Sequence, residues 1–182
     1  RRSVRLLNTW TDLLAPSHAD AFTQALVTAV EAGAMVQILL LDPDSEAAAR
    51  RAADLMHRID VPGVIRANLR ALSELRDRIT PALRSRLAVR VYAEPPLTTY
   101  HRWDSGALVS TYPVGFSSAA TTHHEATISS SLVQFVEQHF ETVWQPDHSI
   151  SLDDYLRVPL RLIRPGAARD RQEPRDGRET RV

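Results

Sequence analysis

The sequence predicts an α/β domain with a mixed, mostly parallel sheet flanked by helices. Three observations support this prediction. The apolar run at residues 35–41 is almost continuous, which is typical of a strand covered on both faces. Strand and helix patterns alternate from residue 4 to residue 92. Two short strand-like segments, 98–103 and 107–112, are separated by the turn sequence Asp104-Ser105-Gly106.

The first three elements follow one another along residues 4–41. Residues 4–10 have the apolar character of a strand that enters a core. Ser17 or Asp20 can cap the next helix, whose apolar residues recur at helical spacing until Gly33 ends it. The second strand covers residues 35–41. Strand, helix and strand in this order predict a parallel pair.

Two helices are predicted between this strand and the next one. Pro43 prevents further strand pairing, and Asp44 or Ser45 can cap a helix over residues 46–59. Residues 60–63 are predicted to form a turn. The segment 64–83 places its apolar residues on one face, which predicts a long amphipathic helix.

The second half of the chain begins with a third predicted strand at residues 87–92. The hairpin segments come next, and a loop rich in Ser, Thr and His follows them. The last clear helix begins at Ser129 or Ser130 and carries an apolar stripe as far as Trp144. Residues 151–163 fit either a short helix or an edge strand. Residues 164–182 have no apolar anchors and are predicted to be disordered.

Composition excludes several classes of function. The formal net charge of the 182 residues is zero, so no general surface for nucleic acid is indicated. The absence of cysteine excludes disulfides and thiolate chemistry, and all 22 basic residues are arginines. No apolar run approaches the roughly 20 residues that a membrane-spanning helix needs. We therefore expect a cytoplasmic domain with no membrane partner.

The sequence lacks the usual cofactor and nucleophile motifs. Its six glycines form no dinucleotide or Walker-type loop, and no Gly-x-Ser-x-Gly is present. His123-His124-Glu125 contains residue types that bind metals, but adjacent histidines point apart, and His101 and His139 are at no recognised ligand spacing. We expect a solvated loop there, with neither a metal nor a cofactor.

Three segments together resemble a known family. They are residues 6–10 with the helix after them, the strand and loop of residues 37–45, and residues 87–111. They resemble a phospholipase-D-like domain of uncharacterised function, which in actinobacterial regulators often follows a helix-turn-helix DNA-binding module. The resemblance covers roughly residues 3–146. Its most specific piece is Leu41-Asp42-Pro43-Asp44-Ser45.

The resemblance implies a degenerate catalytic motif. Active phospholipase-D-type enzymes use a His-x-Lys pair followed by an acid, in which histidine attacks phosphorus and lysine binds the phosphate oxygens. With Asp104 as that acid, the histidine and lysine positions are assigned to Thr98 and Tyr100, and neither side chain can perform those roles. The motif also occurs only once, whereas this chemistry normally brings two copies together. We therefore expect a non-catalytic domain.

An altered motif remains as the alternative. Arginine can bind a phosphate in place of lysine, so the alternative prediction is a phosphodiesterase or nuclease that uses His101, Arg102 and Asp104. Strand alternation argues against it, because it places adjacent side chains such as Tyr100 and His101 on opposite faces of the sheet.

The position of a ligand site follows from the predicted topology. In open parallel sheets, ligands bind outside the carboxyl ends of the strands, where helix N-termini converge. The positive charge of Arg102 favours an anionic ligand. The acidic residues nearby oppose this and would suit a neutral or cationic ligand. The residues expected to line one polar, aromatic-edged cleft are Asn8, Trp10, Asp42, Asp44, Ser45, Tyr100, Arg102 and Asp104.

These inferences define the expected organisation and role. Residues 1–146 are predicted to form a phospholipase-D-like sensor domain, residues 147–163 a C-terminal extension, and residues 164–182 a tail. The sensor is expected to bind an unidentified small molecule, with phosphorylated compounds among the candidates. It would act on DNA only through an N-terminal module outside this chain. A homodimer formed through the apolar stripe of residues 132–144 is a further alternative.

The predicted tail gives the first testable expectation. Truncation after Arg164 should leave the melting temperature unchanged, because the segment offers almost no apolar surface to bury. Thermal unfolding of the truncated and full-length chains checks this. A fall of more than a few degrees would show that the tail docks on the domain.

Overall fold

The computed structural model describes residues 2–56, 58–117 and 120–157, and seven strands and five α-helices lie in these ranges. The strands are β1 (Ser3–Asn8), β2 (Met35–Leu41), β3 (Leu87–Tyr92), β4 (Thr98–Trp103), β5 (Gly106–Thr111), β6 (His124–Thr127) and β7 (Ser149–Ser151). The helices are α1 (Ala19–Glu31), α2 (Glu46–Asp54), α3 (Val61–Arg78), α4 (Ser131–Val143) and α5 (Leu152–Arg157). All seven strands belong to one sheet in the order β6-β5-β4-β1-β2-β3-β7.

The centre of the sheet is parallel, as the strand and helix pattern predicts. β2 pairs with β1 on one side and with β3 on the other, and both pairings are parallel. Side chains on both faces of β2 are fully buried, including Ile38 at 1% exposure and Leu39, Leu40 and Leu41 at 0%. The nearly continuous apolar run of this strand therefore reflects its cover on both faces.

The prediction that the sheet is mostly parallel is wrong. Beyond the three central strands, β4 pairs antiparallel with β1, β5 with β4, β6 with β5, and β7 with β3. For β4 and β5 the physical reason is the two-residue connection 104–105, which permits only antiparallel neighbours. The domain is an α/β fold with a mixed, mostly antiparallel sheet.

Helices cover both faces of the sheet. α4 lies on the face that carries Arg5 and Tyr100, because Glu137 of α4 bonds to both side chains. α1 lies on the other face, beside Val4 and Trp103. The β1-to-β2 and β2-to-β3 crossovers run in the same direction across the sheet, and such crossovers are right-handed. For this reason α2 and α3 lie on the same face as α1.

Three predicted helix boundaries shift. α2 ends at Asp54 rather than near residue 59, α3 begins at Val61, inside the predicted turn, and α3 ends at Arg78 rather than at residue 83. Asp60 caps α3, since its carboxylate accepts the backbone N–H of Gly63 at 3.0 Å, and Pro62 occupies the first turn, where its missing N–H costs nothing. A Cβ at Gly63 would lie 2.2 Å from the Asp60 carboxylate, so the cap requires glycine there.

The described part of the chain after β5 contains two further strands. One lies where a loop was predicted, and the other is the outermost strand of the sheet beside β3. β6 falls in the loop rich in Ser, Thr and His, and β7 pairs with β3 along Tyr92↔Ser149 to Arg90↔Ser151. α5 follows directly, so the segment that fits a helix or an edge strand forms a helix from residue 152 to 157. The predicted tail, residues 164–182, lies outside the described residues. No helix within the described ranges is long and apolar enough to cross a membrane.

Core substitutions test the arrangement of sheet and helix. Leu39 and Phe140 are both 0% exposed, and the Phe140 ring contacts Tyr100 and Trp144. We expect Leu39→Ala or Phe140→Ala to lower the free energy of unfolding by about 2 to 5 kcal/mol, because each removes buried apolar contacts and leaves a cavity. Urea denaturation measures this effect. Parental stability in either variant would contradict the assigned packing.

Candidate functional site

The carboxyl ends of the three parallel strands bring the first predicted residues to one edge of the sheet. Asn8 ends β1 and is 2% exposed, and Asp42 follows β2 at 7% exposure. The Tyr92 hydroxyl at the end of β3 donates to the Asn8 carbonyl at 3.3 Å. Trp10 is buried at this edge, and its indole N–H donates to Asp12 at 2.8 Å. This edge carries polar and aromatic side chains, and Trp10 and Tyr92 are hydrogen-bonded to other groups of the protein.

Asp42, Asp44 and Ser45 form a helix-capping turn at this edge. The Asp42 carboxylate accepts the backbone N–H of Asp44 at 2.8 Å. The Ser45 hydroxyl donates to the Asp42 carbonyl at 2.7 Å and accepts the Ala48 N–H at 3.1 Å, which caps α2. Asp44 pairs with Arg66 of α3. Burial raises the pKa of Asp42, and the local bonds already use much of what this turn could offer a ligand.

Tyr155 of α5 lies close to the same acidic turn. Burial, together with smaller effects of the negative charges of Asp44 and Asp42, raises the pKa of its hydroxyl to about 12. α5 therefore covers part of the sheet edge at which a ligand was predicted to bind.

Tyr100 and Arg102 lie elsewhere, on the sheet face under α4. Arg102 donates to the Glu137 carboxylate at 2.6 Å, and the Tyr100 hydroxyl and Arg5 donate to the same carboxylate. Burial raises the pKa of Tyr100, and the bond to Glu137 adds to this increase. Arg102 is thus already paired with a carboxylate of the protein.

Asp104 lies at the other end of the strands, away from the carboxyl ends of β1, β2 and β3. β4 runs antiparallel to β1, so the carboxyl end of β4 lies beside the amino end of β1. There the Asp104 carboxylate accepts the backbone N–H of Ser3 at 3.1 Å. The single cleft predicted from Asp42, Tyr100 and Asp104 is therefore not formed, because antiparallel pairing places these residues at three separate locations.

His101 lies on the face of the sheet opposite Arg102, as strand alternation predicts. Its Nε2 lies 3.0 and 3.1 Å from the amide nitrogen and oxygen of Asn8. Burial, together with a smaller effect of the nearby His123, lowers the pKa of His101 to about 4. The imidazole is therefore neutral at physiological pH, and His101, Arg102 and Asp104 do not form one catalytic group.

His123-His124-Glu125 spans the start of the edge strand β6. His124 and Glu125 are exposed neighbours on β6, and their side chains alternate across the edge strand. In the portion of the chain that the structure describes, no group of three potential ligands lies close enough to hold a metal ion.

The sequence interpretation missed Arg51, which is only 3% exposed. Its guanidinium donates to the carbonyl of Phe116 at 2.7 Å and lies 4.8 Å from the centre of the Tyr112 ring. A signal was present, because Arg51 shares the helical spacing of the buried face of α2. The other buried residues of that face are Ala47, Ala48 and Ala52.

Comparison of the chain with known protein families and with curated proteins gave no match.

The neutral state of His101 predicts a pH dependence of stability. Its pKa is about 4 in the folded chain and near 6.5 in the unfolded chain, so the unfolded state binds more protons between these values. The free energy of unfolding should therefore rise as the pH increases from about 4 to about 6.5 and then level off. His101→Gln should show a shallower rise.

Urea denaturation at several pH values measures this slope. His139, whose pKa is also lowered by burial, contributes with the same sign and remains in the variant. His124→Gln, which changes an exposed histidine of β6, serves as the control and should keep the parental slope. Equal slopes in His101→Gln and the parent would contradict the prediction.

Proposed function

We propose that this chain is a non-catalytic, ligand-sensing or interaction domain of a transcriptional regulator, with a degenerate phospholipase-D-like fold. The observation that carries the proposal is the separation of His101, Arg102 and Asp104. His101 bonds to Asn8 on one face, Arg102 bonds to Glu137 on the other, and Asp104 bonds to Ser3 at the sheet edge. A phosphodiester cannot contact all three groups together.

The residues at the expected histidine and lysine positions also support a non-catalytic role. Residues 97–100 are Leu-Thr-Thr-Tyr, and the chain contains no lysine, so no register within this segment supplies the required pair. Thr98 is 7% exposed and donates to the Ser110 carbonyl, while Tyr100 is 0% exposed. Both side chains act as core residues.

A sensing role is supported by polar residues buried where parallel strands end. Asn8, Thr9, Thr11 and Asp42 are each less than 9% exposed, although polar side chains are usually left at the surface. Buried polar groups at this edge are typical of binding sites in α/β sheets.

The regulatory part of the proposal depends on the resemblance and on charge. With a formal net charge of zero, this chain has no excess positive charge for the DNA backbone, which suits a domain that acts through a separate DNA-binding module. The coding sequence upstream of this segment tests the point. A helix-turn-helix there would support the proposal, and an unrelated catalytic domain would contradict it.

An assay with a generic phosphodiester tests the absence of catalysis. We expect no hydrolysis of bis(p-nitrophenyl) phosphate above the buffer rate, and no difference between the parent and His101→Ala. Release of p-nitrophenol measures this. Hydrolysis that disappears in His101→Ala, or a covalent phosphohistidine at that residue, would favour the phosphodiesterase alternative.

A further inference from the structure

Several buried polar atoms without partners lie around the carboxyl end of β1. Within the described residues, six buried side-chain nitrogen or oxygen atoms have no hydrogen-bond partner. Four of them are Thr9 Oγ1, Thr99 Oγ1, Ser110 Oγ and Arg51 Nε, and the exposure of these residues is 1%, 5%, 0% and 3%. Buried polar groups in folded proteins normally have partners, so such a concentration needs an explanation.

The strand register places the hydroxyl groups close together. Thr99 of β4 pairs directly with Ser110 of β5, and one further step of the β1–β4 register places Asn8 opposite Thr99. Opposite residues of antiparallel strands share a face and lie about 5 Å apart. Asn8, Thr99 and Ser110 therefore form a row of neutral polar side chains across three strands, beside His101.

Arg51 approaches the end of β1 through Tyr112. The Tyr112 hydroxyl accepts the backbone N–H of Thr9 at 3.0 Å, and the Arg51 guanidinium lies 4.8 Å from the centre of the Tyr112 ring. Tyr112 thus contacts both Thr9 at the end of β1 and Arg51 of α2, and it connects the two in space.

The charge of Arg51 has no anionic partner among the described residues. Its two terminal nitrogens donate to the carbonyls of Pro113 and Phe116, which are neutral. Among the described residues, no carboxylate lies within ion-pair distance of Arg51, and Asp54 attracts it only from farther away. Burial lowers the pKa of Arg51, but a guanidinium remains protonated at neutral pH. Buried charges are normally paired, so one full positive charge remains to be balanced.

We infer that the end of β1 binds a small monocarboxylate that carries a neutral hydrogen-bonding group, with the carboxylate near Arg51 and Tyr112 and the neutral group near Thr99 and Ser110. This inference rests on the proposed ligand-binding function. One carboxylate balances the single charge of Arg51, whereas a phosphate dianion would leave an excess negative charge. Hydroxyl groups both donate and accept, so they suit a neutral group such as an alcohol.

The Nε–H resonance of Arg51 in a ¹⁵N-labelled full-length chain provides a direct test. Through-bond spectra assign it, and its loss in Arg51→Lys checks the assignment. We expect sodium glycolate, which combines a carboxylate with a hydroxyl, to shift this resonance saturably. Sodium acetate and inorganic phosphate should each bind more weakly than glycolate, and sodium chloride should not shift the resonance.

Variants of the unpartnered hydroxyls separate binding from folding. Ser110→Ala and Thr99→Val remove groups that have no partner among the described residues, so the melting temperature should stay unchanged or rise. Each variant should weaken glycolate binding about three- to tenfold, which is the usual effect of one lost hydrogen bond. Ser85→Ala, at an exposed position, should change neither quantity.

The possible results distinguish this inference from the proposed function. If glycolate causes no saturable shift, or binds equally well to Ser110→Ala and Thr99→Val, the site does not exist and the hydroxyls hold ordered water only. Tighter binding of phosphate than of glycolate would overturn the assigned ligand class. None of these results contradicts the proposed non-catalytic function, whereas hydrolysis of bis(p-nitrophenyl) phosphate would overturn it.

Discussion

The Glu137 side chain joins α4 to two neighbouring strands of the sheet. Its carboxylate accepts hydrogen bonds from Arg5 of β1 and from Tyr100 and Arg102 of β4. Arg5 also pairs with Glu141, one turn further along α4, and its guanidinium lies 5.1 Å from the centre of the Phe140 ring. Partly buried charges are tolerated when they are paired and hydrogen-bonded, so this network allows three polar side chains to lie beneath a helix.

This network depends on the antiparallel pairing of β4 with β1. The register places Arg5 opposite Arg102 and Leu7 opposite Tyr100, and the two adjacent arginines would repel each other without a shared carboxylate. The same pairing directs the end of β4 away from the carboxyl ends of β1, β2 and β3. The contacts that fix α4 to the sheet therefore also remove Tyr100 and Arg102 from the edge where a ligand was expected.

Local patterns in the sequence predicted the central elements but not the pairing at the edges. β2 was recognisable because both of its faces are buried, and the hairpin of β4 and β5 because a turn sequence separates two short strands. β6 is exposed at most positions, and β7 has only three residues, so neither shows a hydrophobic alternation. The start of α3 was missed because Asp60-Val61-Pro62-Gly63 has the composition of a turn, although Asp60 and Pro62 also suit the first turn of a helix.

The candidate site was predictable only in part, because the sequence shows charges but not which of them are already paired. Arg102 is near the expected motif, yet a carboxylate of the protein holds it. Arg51 lies in an alanine-rich helix far from that motif, yet its terminal nitrogens contact carbonyl oxygens, which accept hydrogen bonds without neutralising its charge. The capacity of a site to bind an anion depends on the charge that remains after internal pairing, and this quantity comes from contacts between residues distant in sequence. Arg51 and Phe116 are 65 positions apart, and no local pattern connects them.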